Sequence, residues 1–295
     1  MSALASEGQG AEGPPHPLSD EELAKFSEFF YRKTGIRLDE RKRYYMERRI
    51  VERIRRTGCR SFFEYFTTLK LNGAAGELEA LINEMTVNET YFWRENYQFE
   101  CMTRSMLDEI ARRKRPGEPI RIWSIPCSTG EEPYTIAIHI LEYWARADSY
   151  DIEIFASDID SNVLKRARDG TYDERSLSRL PPQLRARYFK LVSERRWQVI
   201  NELRSSIAFG SVNLSDPLET ARYRQIDLIF CRNLLIYFDD VSRRLAAENM
   251  FEAMSPGGFI CLGHSESMSR ITNLFRPRQF AEALVYQKPA PSRGA

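Results

Sequence analysis

The sequence predicts an α/β fold, a doubly wound parallel sheet with a small inserted β-subdomain, preceded by an all-α N-terminal domain. Up to about residue 115, apolar residues recur at helical spacing. After that residue, strand and helix patterns alternate, which implies a parallel sheet. Residues 171–204 interrupt this alternation, and they are too many and too structured for a simple loop. We therefore interpret them as a subdomain inserted before the third strand.

Composition and charge exclude several classes of protein. The 295 residues are enough for two domains and a sizeable core, and the net charge of +1 excludes a polycation or an acidic solvating chain. No apolar run approaches the length of a membrane span, and the first residues lack the features of a signal peptide. The three histidines and five cysteines show no paired metal-ligand spacing, so we expect no metal and no disulfide scaffold. A cytoplasmic location fits these features.

Four helices are predicted in the N-terminal domain, residues 18–87. The first follows a capping box at Ser19–Glu22 and ends at Thr34–Gly35, and the second runs from about Asp39 to Arg56. The third carries the apolar residues between Phe62 and Leu69, and the fourth spans Glu77–Met85. The rest of the chain is divided as a disordered tail at 1–17, a linker and connecting helix at 88–115, the sheet domain at 116–288 and a flexible tail at 289–295.

The segment Cys127–Tyr134 is the most informative turn in the chain. It lies between a strand pattern at Ile120–Ile125 and a helical pattern that begins near Ile136, where an α/β sheet binds nucleotide-like ligands. Sites for phosphate use several glycines, whereas this turn has one glycine and the pair Glu131–Glu132. Two glutamates would repel a pyrophosphate and suit a ligand with an amino group and a sulfonium. These residues point to S-adenosylmethionine.

Acidic residues also end the second predicted strand, which begins at Ile152. A carboxylate at that position usually binds ribose hydroxyls in doubly wound sheets, and we assign this role to Asp158. The alternative is that Asp158 and Asp160 both cap the helix that begins near Ser161. We expect Asp160 to be the cap.

Further strands are predicted downstream, with polar residues where they end. Asn213 follows the third strand, and Arg232-Asn233 leaves the apolar strand Ile226–Cys231. Polar side chains at these points would lie at the carboxyl edge of the sheet, where ligands bind. The other predicted elements are strands at Ile207–Phe209, Phe259–Gly263 and Trp197–Ile200, a helix around Gln183–Phe189, a turn at Pro256–Gly258 and a closing antiparallel strand at Gln279–Gln287.

Six motifs, taken in chain order, resemble the chemotaxis receptor methyltransferase family, CheR. They are NETYFWR (88–94), CSTGEEPYT (127–135), ASDID (156–160), SVNL (211–214), CRNLLIYF (231–238) and GHSE (263–266). Each motif is weak alone, but the ordered set is highly specific and the match runs from about residue 20 to residue 287. The resemblance implies a receptor-recognising helical domain and a Rossmann-like methyltransferase domain with an inserted β-subdomain. It also implies transfer of a methyl group from S-adenosylmethionine to receptor glutamates, giving γ-carboxyl methyl esters and S-adenosylhomocysteine.

The resemblance also assigns roles to individual residues. It places Arg94 and Tyr237 where the substrate and the methyl group meet; the alternative for Tyr237, on pattern alone, is an aromatic core residue. A glutamate carboxylate is ionised at neutral pH and needs no general base, which fits a sequence without an obvious Ser-His-Asp set. The nine positions that the resemblance assigns to cofactor contacts are Asn88, Thr90, Arg94, Glu132, Asp158, Asn213, Leu214, Asn233 and Leu234.

The second helix is strongly basic. Residues 41–56 hold eight basic side chains against two acidic ones, and the apolar side chains Tyr45, Met46, Ile50 and Ile54 share one side. The arginines are therefore expected to face outward. A solvated face or a nucleic-acid surface would show the same pattern, whereas the family resemblance favours the cytoplasmic helical bundle of the receptor. The residues we assign to receptor recognition are Arg48, Arg49, Arg53, Arg55 and Arg56.

Some members of the family grip a C-terminal receptor peptide through a glycine-rich loop of the inserted subdomain. Residues 191–197 contain no glycine, so we expect no tether peptide. We expect a monomer that neither binds nucleic acid nor inserts into a membrane. Two alternatives remain at this point: a nucleic-acid methyltransferase that uses the basic helix, and an S-adenosylmethionine-binding regulator without catalysis. No Asn-Pro-Pro-Tyr motif supports the first of these.

Overall fold

A computed structural model of the chain describes residues 18–38, 43–71 and 76–290. Both predicted tails lie wholly or mostly outside the described residues, the first at 1–17 and the second at 289–295. The same is true of Arg41 and Lys42 of the basic segment. The chain divides into two compact units. The helical unit contains the described residues up to 29 and those from 38 to 85, and the sheet unit contains residues 30–37 and those from 86 onward. Among the described helices, none is long and apolar enough to cross a membrane.

The helical unit is built from amphipathic helices whose apolar faces meet. Its helices are α1 (Asp20–Thr34, of which residues 30–34 belong to the sheet unit), α2 (Arg43–Thr57), α3 (Phe62–Lys70) and α4 (Glu77–Met85). The predicted capping box is present, because Ser19 Oγ accepts the N–H of Glu22 while the Glu22 carboxylate accepts the N–H of Ser19. Phe26, Ile50 and Leu81 are fully buried, so the periodicity of the sequence located this core.

The prediction that all arginines of α2 face outward is wrong for Arg53. Its side chain is 12% exposed and binds the 6% exposed Glu77 of α4 in a bidentate ion pair, at 3.0 Å from Nε and 2.5 Å from Nη2. Tyr65 of α3 donates a third hydrogen bond to the same carboxylate. Position 53 borders the apolar stripe of the helix, and the acid opposite it draws the guanidinium inward. Tyr45, predicted on the buried side, is instead exposed beneath the guanidinium of Arg49.

The sheet unit contains a seven-stranded, mostly parallel sheet. The described residues form β1 (Ile120–Ser124), β2 (Ile152–Asp158), β3 (Thr171–Asp173), β4 (Phe189–Ser193), β5 (Arg196–Val199), β6 (Ile207–Ser211), β7 (Ile226–Cys231), β8 (Met254–Leu262), β9 (Arg276–Gln279) and β10 (Leu284–Gln287). The order in the large sheet is β6-β2-β1-β7-β8-β10-β9, and the first five of these strands are parallel. The chain reverses its direction of winding between β1 and β7, which is where doubly wound sheets bind ligands.

Helices cover both faces of this sheet. They are α5 (Tyr97–Cys101), α6 (Leu107–Ala111), α7 (Glu131–Tyr143), α8 (Ser161–Asp169), α9 (Pro182–Tyr188), α10 (Asn201–Ser205), α11 (Pro217–Thr220) and α12 (Asp240–Ala253), with a π-helical turn at Met102–Met106 that joins α5 to α6. One apolar core includes Phe99, Ile136 and Phe230, and the other includes Ile229 and Met250. Because neighbouring residues of β7 contribute to different cores, its near-continuous apolar sequence is explained by burial on both faces.

The sheet differs from the prediction at its antiparallel end. The predicted turn Pro256–Gly258 lies inside β8, where the pairing with β7 shifts register. Gly257 has φ of +81° at this irregularity, a conformation that favours glycine. The single closing strand predicted at 279–287 is a hairpin of β9 and β10, because the Phe280 N–H bonds the Ala283 carbonyl and turns the chain back.

The interruption of the βα alternation corresponds to a separate small sheet. Strands β3, β5 and β4 pair in that order, and both pairs are antiparallel. Helix α9 leads directly into β4, and β4 and β5 are joined by only Glu194 and Arg195. The glycine-free turn is therefore short, as the sequence predicts.

Candidate active site

The turn after β1 is held tightly by the elements around it. The Cys127 N–H bonds the Ser157 carbonyl at 2.8 Å, and Gly130 begins α7 with φ of +96°. A Cβ at Gly130 would lie 2.9 Å from the Tyr172 hydroxyl and 3.2 Å from the backbone of Ala167. Only glycine fits this position, because the β-subdomain and α8 approach the turn from outside.

Asp158 is the last residue of β2 and its carboxylate lies under this turn. One oxygen accepts the Ser128 N–H at 2.8 Å and the other accepts the Asp160 N–H at 3.0 Å, so each retains capacity to accept a hydroxyl donor. The side chain is buried, and burial raises the pKa of Asp158 to about 6 against the lowering effect of the two N–H groups. Asp160 caps α8 through the N–H groups of Asn162 and Val163, which confirms Asp160 as the cap, while the ribose contact of Asp158 stays a prediction.

The segment from Asn88 to Arg94 lies against the same turn. Asn88 Nδ2 donates to Asp160 at 2.8 Å, and its carbonyl accepts the Ser128 hydroxyl at 3.4 Å. Asn88 and Thr90 line a cleft of about 460 Å³ together with residues of the turn and the β-subdomain. The structure thus brings Asn88, Thr90 and Asp158 to one edge of the sheet, as the resemblance implies.

A buried ion cluster follows β7, and the sequence did not predict it. The Arg232 side chain is 3% exposed and lies 2.9 Å from Glu132 and 3.4 Å from Glu95, and it donates a hydrogen bond to the Arg94 carbonyl. Burial raises the pKa of Glu132 despite Arg232 and Ser124. Burial also disfavours ionised Glu95, but Arg232 and His264 outweigh it and hold the pKa of Glu95 below its usual range.

This cluster gives Glu132 a role that the resemblance did not imply. Both of its carboxylate oxygens are hydrogen-bonded within the protein, one to Ser124 and the other to Arg232. Glu131, the other acid of the turn, is bonded to Thr129 and Ser176. Neither acid is a free charge, so their contact with a cationic ligand stays a prediction, while their contacts with neighbouring segments are established by the structure.

Glu266 organises the loop that carries Asn233 and Leu234. Its carboxylate accepts the N–H groups of Gly263, Asn233 and Leu235 at 2.7–2.8 Å. The motif GHSE contained this acid, but no role was predicted for it. The signal was an acid placed just after a buried strand, at the edge where other loops expose N–H groups.

The remaining predicted residues lie at the same edge but are connected differently. Asn213 Nδ2 donates to the Lys33 carbonyl at 2.9 Å, and Leu214 is buried with its carbonyl bonded to Asn249. The Tyr237 carbonyl accepts the Arg37 N–H at 3.2 Å. Hydrogen bonds thus connect these loops to residues 33–37 of the sheet unit and to α12, while the Val212 N–H connects the loop after β6 to the Asp158 carbonyl at 3.0 Å.

Backbone strain is concentrated around this edge. Of the five non-glycine residues with positive φ in the described parts of the chain, four belong to its loops: Trp93, Glu95, Ser128 and Asn233. Each costs on the order of 1–3 kcal/mol and persists only where surrounding contacts enforce it. The hydrogen bonds of Asp158 and Glu266 and the ion pairs of Arg232 are those contacts.

These observations define a class of protein. A doubly wound sheet with a buried acid after β2 and an acidic, single-glycine turn after β1 suits a nucleoside cofactor without a pyrophosphate. No group of three or more His, Cys, Asp or Glu residues within the described ranges is arranged to hold a metal ion. The arrangement is that of an S-adenosylmethionine-dependent methyltransferase.

Comparison with known proteins identifies the family. Residues 21–86 match the CheR methyltransferase all-alpha domain and residues 88–284 match the CheR methyltransferase SAM binding domain. The chain is 46% identical over 272 residues to chemotaxis protein methyltransferase 2 of Vibrio cholerae, covering 92% of this chain and 94% of that protein. It is 37% identical over 264 residues to the chemotaxis protein methyltransferase of Escherichia coli, covering 88% and 89%. The chain belongs to the CheR methyltransferase family.

The raised pKa of Asp158 predicts how cofactor affinity depends on pH. Ribose hydroxyls donate to an ionised carboxylate, so protonation below about pH 6 should weaken S-adenosylhomocysteine binding by about tenfold per pH unit. Calorimetric titrations across this range measure the effect. Asp158→Asn should bind S-adenosylhomocysteine more weakly at neutral pH, by on the order of 1–3 kcal/mol, and its affinity should not fall further below about pH 6. Equal affinity of the wild type above and below about pH 6 would contradict the assignment of Asp158 to ribose.

Proposed function

We propose that this enzyme methylates glutamate side chains of chemoreceptors, giving glutamate 5-O-methyl esters and S-adenosylhomocysteine. The names of the relatives, chemotaxis protein methyltransferases, support a chemoreceptor substrate. The observation that carries the chemistry is that the segment of Arg94 lies against the turn after β1, where the Asn88 carbonyl accepts the Ser128 hydroxyl at 3.4 Å. S-adenosylmethionine, when bound, supplies the electrophilic methyl group. The protein supplies the binding edge and orients the incoming carboxylate.

We propose that neither histidine of the sheet unit, His139 nor His264, acts as a general base. His139 is buried, is bonded to Asn96, and has its pKa lowered to about 4 by burial. His264 is exposed and bonded to Glu95. A hydroxyl or amine substrate needs a proton acceptor, whereas a glutamate carboxylate is already a nucleophile at neutral pH. The residues present therefore suit a carboxylate substrate.

We propose that Arg94 orients that carboxylate. Its Nη1 donates to the Glu89 carbonyl at 2.8 Å, and its guanidinium lies 5.7 Å from the centre of the Tyr91 ring. These contacts fix the side chain through one N–H and a ring face, and leave other N–H groups of the fork for a carboxylate. Tyr237, at the end of a short 3₁₀ turn over Leu235–Tyr237, is the companion we propose beside the methyl group.

Arg94→Ala is expected to lower kcat for receptor methylation by about 10- to 100-fold, because hydrogen bonds to a charged group contribute about 1.5–3 kcal/mol. Stability should change little, since the side chain is only partly buried. Arg112→Ala is the control and should keep the wild-type kcat, because Arg112 is exposed, precedes β1 at the opposite end of the strands and does not line the cleft. Tritiated methyl transfer at saturating receptor and donor measures both. Wild-type turnover of the Arg94 variant would end its assigned role.

Identification of the product tests the function itself. The enzyme and labelled S-adenosylmethionine are incubated in two separate reactions, one with receptor-containing membranes and the other with total RNA from the same cells. Receptor label should be released as methanol by mild base, because carboxyl methyl esters are base-labile, and it should vanish when the acceptor glutamates are replaced by alanine. Label in RNA, or no label in any receptor, would contradict the proposal.

We propose the cytoplasmic helical bundle of the receptor as the surface that α2 recognises. Arg48 and Arg55 are exposed on α2 and form no ion pair with another described residue. Arg56 is also exposed, but it is paired with Glu52 and Glu84. The two-residue turn between β4 and β5 supports recognition without a C-terminal tether peptide.

A further inference from the structure

A second cleft opens at the carboxyl ends of β7 and β8, on the other side of β1 from Asp158. Its volume is about 330 Å³, and its walls are the 3₁₀ turn after Leu234, the start of α12 and the loop 265–271. None of the nine predicted cofactor positions lines it. The cleft nevertheless adjoins the proposed reaction site, because Leu235 and Ile236 of its wall directly precede Tyr237.

Within the described parts of the chain, the charges around the cleft leave two cations without an acidic partner. Glu266 faces it but is occupied by N–H groups of its own loop and of the loop after β7. Arg243 is held by Asp240 at 3.2 Å and by the Leu235 carbonyl at 2.8 Å. Arg244 and Arg270 are both exposed, and neither pairs with an acid in the described part of the chain. Two uncompensated guanidinium groups therefore stand at the mouth of the cleft.

Exposed aliphatic side chains lie beside these cations. Ile236 lines the cleft and is 46% exposed, and Val241, at the start of α12, is 70% exposed. A surface with both features complements an amphipathic helix that has acidic residues next to aliphatic ones. Residues three or four apart on such a helix lie about 5–6 Å from one another, so one helix presents both kinds of side chain to a small cleft.

We propose that this cleft docks the acidic helix of the receptor next to the glutamate that is methylated. The inference rests on the proposed function and deepens it by adding a recognition surface on the sheet unit. Acidic neighbours of the acceptor glutamate pair with Arg244 and Arg270, while aliphatic residues of the helix contact Ile236 and Val241. This contact fixes the helix beside Tyr237 and leaves orientation of the reacting carboxylate to Arg94.

The double variant Arg244→Glu/Arg270→Glu tests the proposal. It should raise the KM for a receptor cytoplasmic fragment by at least about tenfold, equivalent to about 1.4 kcal/mol, with kcat and S-adenosylhomocysteine affinity as in the wild type. The matched control is Arg112→Glu/Arg224→Glu, which makes the same charge change at exposed residues that precede β1 and β7, at the opposite ends of the strands. The control should keep the wild-type KM.

Hydrogen exchange of the wild-type protein gives a second measurement. Addition of the receptor fragment should slow exchange in residues 240–244 and 265–271. The docking proposal would be overturned if Arg244→Glu/Arg270→Glu had the same KM as its control, or if residues 240–244 and 265–271 were not protected. Receptor methylation by the wild type would still support the proposed function in either case. If the wild type methylated RNA instead of receptor and the double variant did not, both the docking proposal and the proposed function would be overturned. If the wild type methylated no receptor, the proposed function would be overturned, and the docking proposal that rests on it would fail with it.

Discussion

Replacing Arg232 with methionine is expected to lower the free energy of unfolding of the sheet unit by about 3–5 kcal/mol, the cost of removing one partner from a buried ion pair. The guanidinium is the cation between Glu132 and Glu95, and it also lies 5.2 Å from the centre of the Phe99 ring. Methionine retains the apolar contact but leaves two carboxylates buried together. All four tryptophans lie after residue 86, so their fluorescence in urea reports the unfolding of this unit.

The dependence of this loss on pH should identify its cause. In the wild type the pKa of Glu95 is held below its usual range, so its contribution to stability is present above the unfolded pKa and is lost as pH falls. In the variant, both acids lose their cation, their folded pKa values rise, and the folded state binds more protons than the unfolded state. The difference between variant and wild type should therefore shrink from about pH 8 to about pH 5.

A double variant separates charge from packing. Arg232→Met/Glu132→Gln removes the cation together with its nearest anion, so it should regain a large part of the stability lost in the single variant. Both variants should also bind S-adenosylhomocysteine more weakly, because Asn233 and Leu234 follow Arg232 directly. Equal urea midpoints for Arg232→Met and the wild type would show that the cluster contributes nothing to folding.

Local patterns predicted much of the fold because they decide local structure. Helix α4 at Glu77–Met85 and strand β7 at Ile226–Cys231 have the predicted bounds, since α4 has apolar residues at helical spacing and β7 is a nearly continuous apolar run. Asp160 was identified as a cap from its place before Ser161. The position of the candidate site at the carboxyl edge of the sheet followed from the predicted parallel strands alone, because the carboxyl ends of parallel strands meet at one edge.

The ion pairs could not be predicted in this way. Glu132 and Arg232 are 100 residues apart, and neither the periodicity of α7 nor that of β7 indicates which acid meets which cation. Arg53 borders the apolar stripe of α2, and only the position of Glu77 decides that it turns inward. Helical spacing predicts which side of a helix is apolar, but the neighbours at the border of that side are set by the tertiary fold.

The arginines of α2 should therefore separate into two groups when their charges are reversed. Arg48→Glu/Arg55→Glu should raise the KM for receptor by about tenfold with little effect on stability, because both side chains are exposed. Arg53→Glu should instead lower the free energy of unfolding of the helical unit by about 3–5 kcal/mol, because it places a second carboxylate beside the buried Glu77. Circular dichroism and methylation kinetics measure the two effects.

Salt and receptor length complete this test. The KM of the wild type should rise more steeply with salt than that of Arg48→Glu/Arg55→Glu, since exposed charges are screened within about 10 Å at about 0.1 M salt. Reversal of Arg60 and Lys70, exposed cations outside α2, is the charge-matched control and should leave the KM unchanged. Removal of the receptor's C-terminal tail should have little effect, because the β4–β5 turn is only two residues long. A large loss of activity on removal of the tail, with no effect of the α2 reversals, would assign recognition to the inserted subdomain instead of α2.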